Sequence, residues 1–245
     1  MQERYLGDVH DFVKYALLRF MRDALGLRIG VNWYLTCPED LGDSGSNDGE
    51  QRYHLKKGEW EKWDGNLFKR ILHFEHSVER RLDRIRMLGI LPADTLYFED
   101  IVPVEVKERC SWHQRARSIF TDTDLVFLDP DNGFQVKSMK PKESPKYSFF
   151  QEAVDFLLMD KVVVGIQFAR QCDPKEWGIT RREQLHALAG NRDILPIVRG
   201  RVSSNILFLT LAPPQRVKPV RKALFDFANR SLKFARDKRR AEIIT

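Results

Sequence analysis

Short, unbroken apolar runs alternate with amphipathic segments along most of the chain. The apolar runs predict strands at residues 28–36, 95–100, 125–128 and 161–168. Apolar residues recurring every three or four positions predict helices at residues 8–25, 60–88, 105–120, 147–159 and 180–190. Apolar strands joined by amphipathic helices are typical of a parallel sheet that is covered on both faces.

The last part of the chain departs from this alternation. The runs "DILPIV" and "NILFLTL" are joined by a short turn that contains Arg-Gly-Arg, which predicts an antiparallel hairpin. A final basic helix is predicted over residues 217–240. We therefore expect residues 1–245 to form one three-layer α/β domain, with a Rossmann-like, mostly parallel sheet and an antiparallel C-terminal hairpin.

The stretch "GDVHDFVKY" opens the first predicted helix and places three charged residues on one face. Asp8 suits the N-cap, and Gly26 suits the position just past the helix end. Asp8 and Asp11 are three residues apart, as are Asp11 and Lys14, so helical spacing groups their side chains. Asp11 and Lys14 are candidate catalytic residues and Asp8 a candidate substrate contact. The alternative is a solvated, capped helix start.

The stretch "DLVFLDPDNGFQ" carries the main candidate chemistry. Its apolar strand ends at Asp129, and Pro130 cannot donate a further ladder hydrogen bond. Asp131, Asn132 and Gly133 then predict a tight turn. Ligands of open α/β sheets bind beyond the carboxyl ends of the strands, so the two aspartates and the asparagine are candidate catalytic residues. A turn without chemistry is the alternative.

Further polar residues are candidate substrate contacts. Asn47 and Asp48 follow the first predicted strand, and Gln167 lies at the end of a later one. Basic residues crowd the last predicted helix, as phosphate contacts would require, although a solvated charged face looks the same. The candidates on that helix are Lys218, Arg221, Lys222, Arg230 and Lys233.

Composition narrows the partners and the compartment. The net charge of +6 is a modest bias toward polyanions such as nucleic acid. Three scattered cysteines without CxxC spacing argue against a disulfide framework or a zinc site, and they predict a reducing cytoplasm. The N-terminus lacks the pattern of a secretory signal, and no apolar run approaches the length of a membrane span, so no membrane partner is expected.

Three motifs together resemble those of a widespread bacterial family: "GDVHDFVKYALLR", "GVNWYLT" leading to "NDG", and "FLDPDNG". The architecture also resembles Rossmann-type methyltransferases that act on adenine N6 in nucleic acid. In those enzymes a strand ends in Asp/Asn-Pro-Pro-aromatic, and the sheet finishes with an antiparallel hairpin. The resemblance implies that residues 129–132 occupy the place of that motif, and that S-adenosylmethionine would be the cofactor.

Two departures from the methyltransferase pattern favour a different chemistry. The segment "YLTCP" after the first strand lacks the glycines that would let the backbone approach the cofactor. Asp131 and Asn132 stand where the motif has a proline and an aromatic residue, so charge replaces an apolar clamp. Paired carboxylates suit hydrolysis, because one can activate water while the other stabilises an oxocarbenium ion.

The leading hypothesis is therefore a nucleic-acid base-processing enzyme, with DNA as the expected partner. It would be a DNA glycosylase that flips out a modified base and hydrolyses its N-glycosidic bond, an activity suited to defence against phage. Asp129 would activate water, Asp131 would act as its electrostatic partner, and Asn132 would contact the substrate edge, with no cofactor and no metal. The alternatives are a methyltransferase using S-adenosylmethionine, a metal-dependent nuclease and a non-catalytic nucleic-acid-binding module.

Overall fold

The computed structural model describes residues 2–39, 41, 50–56, 58–190, 193–203, 205–230 and 240–245. Its α-helices are α1 (Val9–Leu25), α2 (Glu59–Trp63), α3 (Gly65–Ile71), α4 (Leu82–Met87), α5 (Val106–Ile119), α6 (Phe150–Leu158), α7 (Pro174–Ala189) and α8 (Val217–Arg230). Its strands are β1 (Ile29–Asn32), β2 (Leu96–Phe98), β3 (Leu125–Leu128), β4 (Val162–Phe168), β5 (Ile197–Gly200), β6 (Ile206–Leu211) and β7 (Ala241–Ile244). Short 3-10 turns occur at Glu3–Tyr5, Tyr53–Lys56, Leu72–Glu75, Ser77–Glu79, Pro141–Lys146 and Pro214–Arg216.

The seven strands form one sheet in the order β2-β1-β3-β4-β6-β5-β7. The pairs from β2 through β4 are parallel, whereas β6 is antiparallel to both β4 and β5, and β7 is antiparallel to β5. This topology confirms the predicted α/β class, with a mostly parallel sheet and an antiparallel C-terminal part. The carboxyl ends of β1, β3 and β4 meet at one edge of the sheet, which we call the carboxyl edge.

Helices cover both faces of the sheet. On one face, Leu125 and Phe127 join a core that contains residues of α1, α3 and α8. On the other face, Val126 and Leu128 join a core that contains residues of α5, α6 and α7. Because every residue of β3 is buried on one face or the other, the strand is an unbroken apolar run in the sequence. None of the described helices is long and apolar enough to cross a membrane.

The structure breaks one predicted helix into three and starts another earlier, and capping residues contribute to both differences. The segment predicted as mostly helical at 60–88 is broken into α2, α3 and α4 with short turns between them, and Asp64 caps α3 by accepting a hydrogen bond from the backbone N–H of Leu67. Helix α7 begins at Pro174, six residues before the predicted start. Asp173 caps it through the N–H groups of Lys175 and Glu176, and proline is favourable in the first helical turn.

The described residues at the end of the chain form a helix and a strand. Of the predicted helix 217–240, the structure shows α8 up to Arg230, while residues 231–239 lie outside the described residues. Strand β7, which the sequence analysis missed, pairs with β5 at the end of the chain. The four residues of β7 do not alternate regularly between apolar and polar, so no strand was predicted there. Glu242 forms an ion pair across the sheet with Arg199 at 2.7 Å.

We predict that Gly165→Ala lowers the free energy of unfolding by about 1–3 kcal/mol, because a Cβ at this position in β4 would overlap the ring of Phe134. Phe134 is fully buried against Phe150, with ring centroids 4.9 Å apart, so it has little room to yield. The matched control is Gly65→Ala at the start of α3, where the nearest neighbour would lie at 3.7 Å. Urea denaturation should show a change of under about 0.5 kcal/mol for the control, and equal losses in both variants would contradict the prediction.

Candidate active site

The start of α1 is held by its own N-cap. Oδ1 of Asp8 accepts hydrogen bonds from the N–H of His10 at 2.9 Å and of Asp11 at 3.0 Å. These bonds satisfy two of the N–H groups that a helix start leaves without partners. The helix therefore begins at Val9, as the sequence predicted, and its first two turns carry Asp11 and Lys14 inward.

Lys14 joins this helix to the carboxyl edge of the sheet. Its Nζ lies 3.0 Å from Oδ1 of Asp11 and 2.8 Å from Oδ1 of Asp129, the first residue beyond β3. Lys14 is 6% exposed, Asp11 2% and Asp129 1%, so the three charges are shielded from solvent. Two segments that were separate candidates in the sequence thus meet in one buried cluster. We call Asp11, Lys14 and Asp129 the acid–lysine cluster.

The two oxygens of the Asp129 carboxylate differ in their contacts. Lys14 Nζ lies 2.8 Å from Oδ1 and lowers the pKa of the carboxyl, whereas no hydrogen bond from the described residues reaches Oδ2. The backbone N–H of Asp129 does donate to the carbonyl of Asn32 at 3.0 Å, which holds the main chain in place. A buried acceptor without a donor costs about 1–3 kcal/mol, so Oδ2 is a favourable position for a water, an ion or a polar group of a substrate.

Burial and charge together shift the pKa values of the acid–lysine cluster. Burial raises the pKa of Asp129, and Lys14 opposes that rise. Burial likewise raises the pKa of Asp11 to about 6, with Lys14 lowering it and the charges of Asp8 and Asp129 raising it. For Lys14, burial lowers the pKa but the two neighbouring carboxylates outweigh it, so the net pKa is raised. Lys14 therefore remains protonated at neutral pH.

His10 is a member of this region that the sequence analysis missed. Its Nδ1 lies 3.0 Å from Oδ2 of Asp8, and its Nε2 lies 2.8 Å from the carbonyl oxygen of Ser203. Both neighbours are acceptors, and only the doubly protonated ring can donate to both. Although burial raises the pKa of Asp8, the positive charges of His10 and Lys14 leave it lowered overall. The spacing of His10 from Lys14, one helical turn, was the available signal.

The rest of the "DPDNG" turn faces other partners. Asp131 is half-buried, and its Oδ2 accepts a hydrogen bond from Thr36 Oγ1 at 3.2 Å. The backbone N–H of Asn132 donates to the carbonyl of Lys146 at 2.8 Å. Asp129 and Asp131 thus contact different groups, although the charge of Asp131 still contributes to the raised pKa of Asp129. The turn presents Asp131 and Asn132 nearer to solvent than Asp129.

Gln167 lies where the sequence analysis expected it, at the carboxyl edge. It is 2% exposed, and no hydrogen bond reaches its Oε1 from the described residues. Gly133 forms an isolated bridge with it, and a Cβ on Gly133 would lie 2.9 Å from the Gln167 Cα. This close approach, together with a left-handed φ of 87°, explains why the turn ends in glycine.

The segment after β1 is filled by a side chain rather than opened by glycines. Tyr34 has a left-handed φ of 48°, is fully buried, and donates a hydrogen bond from its hydroxyl to Glu152 at 2.9 Å. Glu152 in turn forms a buried ion pair with Arg109 at 2.7 Å. No sequence pattern predicted this network. These residues do not fit the close backbone contact that the methionine part of S-adenosylmethionine would need.

Helix α8 begins at the edge of the sheet opposite the acid–lysine cluster. Arg216, just before the helix, lies 2.8 Å from Asp124, which precedes β3 at the opposite edge of the sheet. The candidate residues on this helix are exposed or half-buried: Lys218, Arg221, Lys222 and Arg230. The structure does not bring them into contact with Asp129, so their role in phosphate binding stays a prediction. Asn47, Asp48 and Lys233 lie outside the described residues.

Comparison with known proteins assigns no family: no family model matches the chain, and no curated protein matches it. In the described part of the chain, no group of three or more His, Cys, Asp or Glu side chains is placed to hold a metal ion. The candidate active site is therefore defined by its own geometry, as a buried carboxylate, held by a lysine, at the carboxyl edge of an α/β sheet.

We predict that Lys14→Met lowers the free energy of unfolding by about 3–5 kcal/mol, because it leaves two buried carboxylates without their counter-charge. The matched control is Lys222→Met, which also removes a lysine paired with an aspartate of its own helix, but whose side chain is 77% exposed. Chemical denaturation should show a change of under about 0.5 kcal/mol for the control. Similar values for the two variants would mean that the acid–lysine cluster does not stabilise the fold.

The free energy of unfolding should depend on pH through Asp11. Asp11 has a pKa of about 6 in the folded protein against a reference value of 3.8, so protonation favours the folded state. Relative to Asp11→Asn, the wild type should gain stability as the pH falls from 7.5 to 4.5, by about 2 kcal/mol. Paired denaturation curves across this range would measure the difference, and a difference that is constant or falls toward acid pH would contradict it.

Proposed function

We propose that the protein is a nucleic-acid base-processing hydrolase, a DNA glycosylase that cleaves the N-glycosidic bond of a modified base. The observation that carries the proposal is the Asp129 carboxylate: it is buried at the carboxyl edge, Lys14 holds its Oδ1, and no hydrogen bond from the described residues reaches its Oδ2. That edge is where open α/β sheets place their ligands. The modest excess of positive charge on the whole chain suits a polyanionic substrate.

In this proposal, Asp129 transfers a proton and stabilises the positive charge that develops on the sugar. Its free oxygen would accept a proton from water as the water oxygen bonds to the sugar C1′. The C1′–N bond breaks, its electron pair leaves with the base, and the proton passes to the departing base. The negative charge of Asp129 would also stabilise the oxocarbenium character of C1′ in the transition state. A carboxylate with a raised pKa is a stronger base than an ordinary one, which suits this role.

The state of Lys14 favours one type of glycosylase over another. Because the two neighbouring carboxylates raise its pKa, its amine stays protonated and does not attack C1′ to form a Schiff base. Water is then the nucleophile, and the product is an intact strand with an abasic site. Asp11 and Asp8 would hold Lys14 and His10 in place, whereas the more accessible Asp131 and Asn132 would contact the extruded nucleotide.

A methyltransferase is the second candidate because of the sheet topology. The antiparallel β6 lies between β4 and β5, and the "DPDN" sequence follows β3, as the resemblance to adenine-N6 methyltransferases implies. The buried Tyr34 in place of a glycine-rich turn is the reason for ranking this candidate second. Titration calorimetry with S-adenosylmethionine tests it: micromolar binding would favour methylation, whereas absence of heat at millimolar concentration would remove it.

We predict that the protein releases bases from duplex DNA carrying hypermodified bases, leaving strands that break only after alkali treatment. Asp129→Asn should lower the rate by about 100-fold or more, since it removes the proton acceptor while keeping the side-chain size. The matched control is Asp226→Asn on α8, whose side chain is 47% exposed and should leave the rate unchanged. Denaturing gels before and after alkali would measure both variants.

The other outcomes of this assay are equally informative. Strand breaks without alkali that disappear with EDTA would indicate a metal-dependent nuclease. Salt-sensitive DNA binding with no turnover, retained in Asp129→Asn, would indicate a binding module. Base release that is equal in the wild type and Asp129→Asn would overturn the role assigned to Asp129.

A further inference from the structure

A cleft of about 480 Å³ lies beyond the end of β4. Its walls come from the segment between β4 and α7, which includes Arg170 and Cys172, and from Arg199 and Asn205 of the terminal hairpin. The N–H of Ala169 donates to the carbonyl of Asn205 at 3.0 Å, so the two walls are joined at their base. None of the candidate residues named from the sequence lines this cleft.

The cleft opens at the same edge of the sheet as the acid–lysine cluster. Strands β3 and β4 are parallel neighbours with Leu128 opposite Gly165, and β4 runs three residues further before the cleft begins. His10, at the start of α1, packs edge-on against Phe168, the last residue of β4, with ring centroids 5.4 Å apart. On the other side, burial raises the pKa of Tyr147, whereas a hydrogen bond with the Asn132 side chain and the charge of Arg170 lower it. Arg170 thus lines the cleft and is close enough to Tyr147 for its charge to act there.

The charge of the cleft is positive. Its lining includes two guanidinium groups and no carboxylate. Arg199 is oriented by a hydrogen bond from Nε to Asn205 at 2.9 Å and by its ion pair with Glu242, which neutralises part of its charge. Arg170 is exposed and lies over the ring of Phe168 at 5.1 Å, and no carboxylate among the described residues forms an ion pair with it.

Acidic groups near the cleft reduce this positive charge, but none of the described ones forms an ion pair with Arg170. Asp173, the nearest carboxylate along the chain, accepts hydrogen bonds from the N–H groups of Lys175 and Glu176 as the N-cap of α7. Its carboxylate is therefore engaged by its own helix. The charge of Arg170 remains available to an anion from outside the protein.

We propose that this cleft binds a backbone phosphate of the nucleic-acid strand next to the nucleotide that enters the candidate active site, with Arg170 as the principal contact. A guanidinium group matches the geometry of phosphate oxygens and can bind two of them at once. Phosphate contacts fix the position of a strand without reading its sequence. The inference rests on the proposed function for its choice of ligand, since a nucleic-acid substrate supplies phosphates on either side of the target sugar.

The test compares Arg170→Gln with Arg115→Gln in binding to a fluorescent DNA duplex over a range of salt concentrations. Arg115 is a matched control because it is an exposed arginine, 56% accessible, that pairs with Asp100 on α5's side of the sheet. Arg170→Gln should weaken binding to all sequences alike and make the slope of log K against log salt shallower by about 0.9, the value for one lost phosphate contact. Arg115→Gln should match the wild type, and Arg170→Lys should keep the wild-type slope.

A slope unchanged by Arg170→Gln, or changed equally by Arg115→Gln, would overturn the assignment, as would a wild type that binds no DNA. Denaturation curves of the same preparations check that each variant is folded. The abasic-site assay on these samples separates this inference from the proposed function. A shallower slope with no base release would leave the cleft assigned and remove the glycosylase. Base release with an unchanged slope would support the glycosylase and remove the assignment of the cleft.

Discussion

The ion pairing of Lys14 with Asp11 and Asp129 is the constraint on which the candidate active site depends. The cluster joins the first helix to the carboxyl edge of the sheet through charges that are almost fully buried. Burying them separately would be very unfavourable, and their mutual attraction offsets that penalty only when the geometry is kept. The position of α1 over the end of β3 is therefore tied to the integrity of these contacts.

The same cluster shows how stability and chemistry are balanced at this edge of the sheet. An apolar pair would cover the carboxyl edge at less cost, yet the chain keeps three acidic and two basic side chains there: Asp8, His10, Asp11, Lys14 and Asp129. Natural proteins accept such departures from local stability rules mainly at functional sites. Lys14 orients Asp129 and lowers its pKa relative to burial alone, but leaves it basic enough to take up a proton. The site thus carries a carboxylate whose proton affinity is set by its surroundings.

The sequence predicted those features of the site that depend on residues close together in the chain. The α1 start was predictable because Asp8 caps the helix within three residues of itself, and β3 because all four of its residues are buried. Lys14 and Asp129, 115 positions apart by their residue numbers, were separate candidates in the sequence, and only the structure shows that they pair. The partner of Asp131 was not foreseen, since nothing local links it to Thr36.

The order of apolar runs and amphipathic segments by itself determined the α/β class and the antiparallel finish, because these follow from periodicity and chain connection. Only the tertiary structure decided which charges share a site. It buried Asp129 against Lys14, brought in His10, filled the turn after β1 with Tyr34, and directed the start of α8 to the opposite edge. The physical reason is that ion pairing and burial act through space between distant segments, whereas sequence patterns report mainly the few residues on either side.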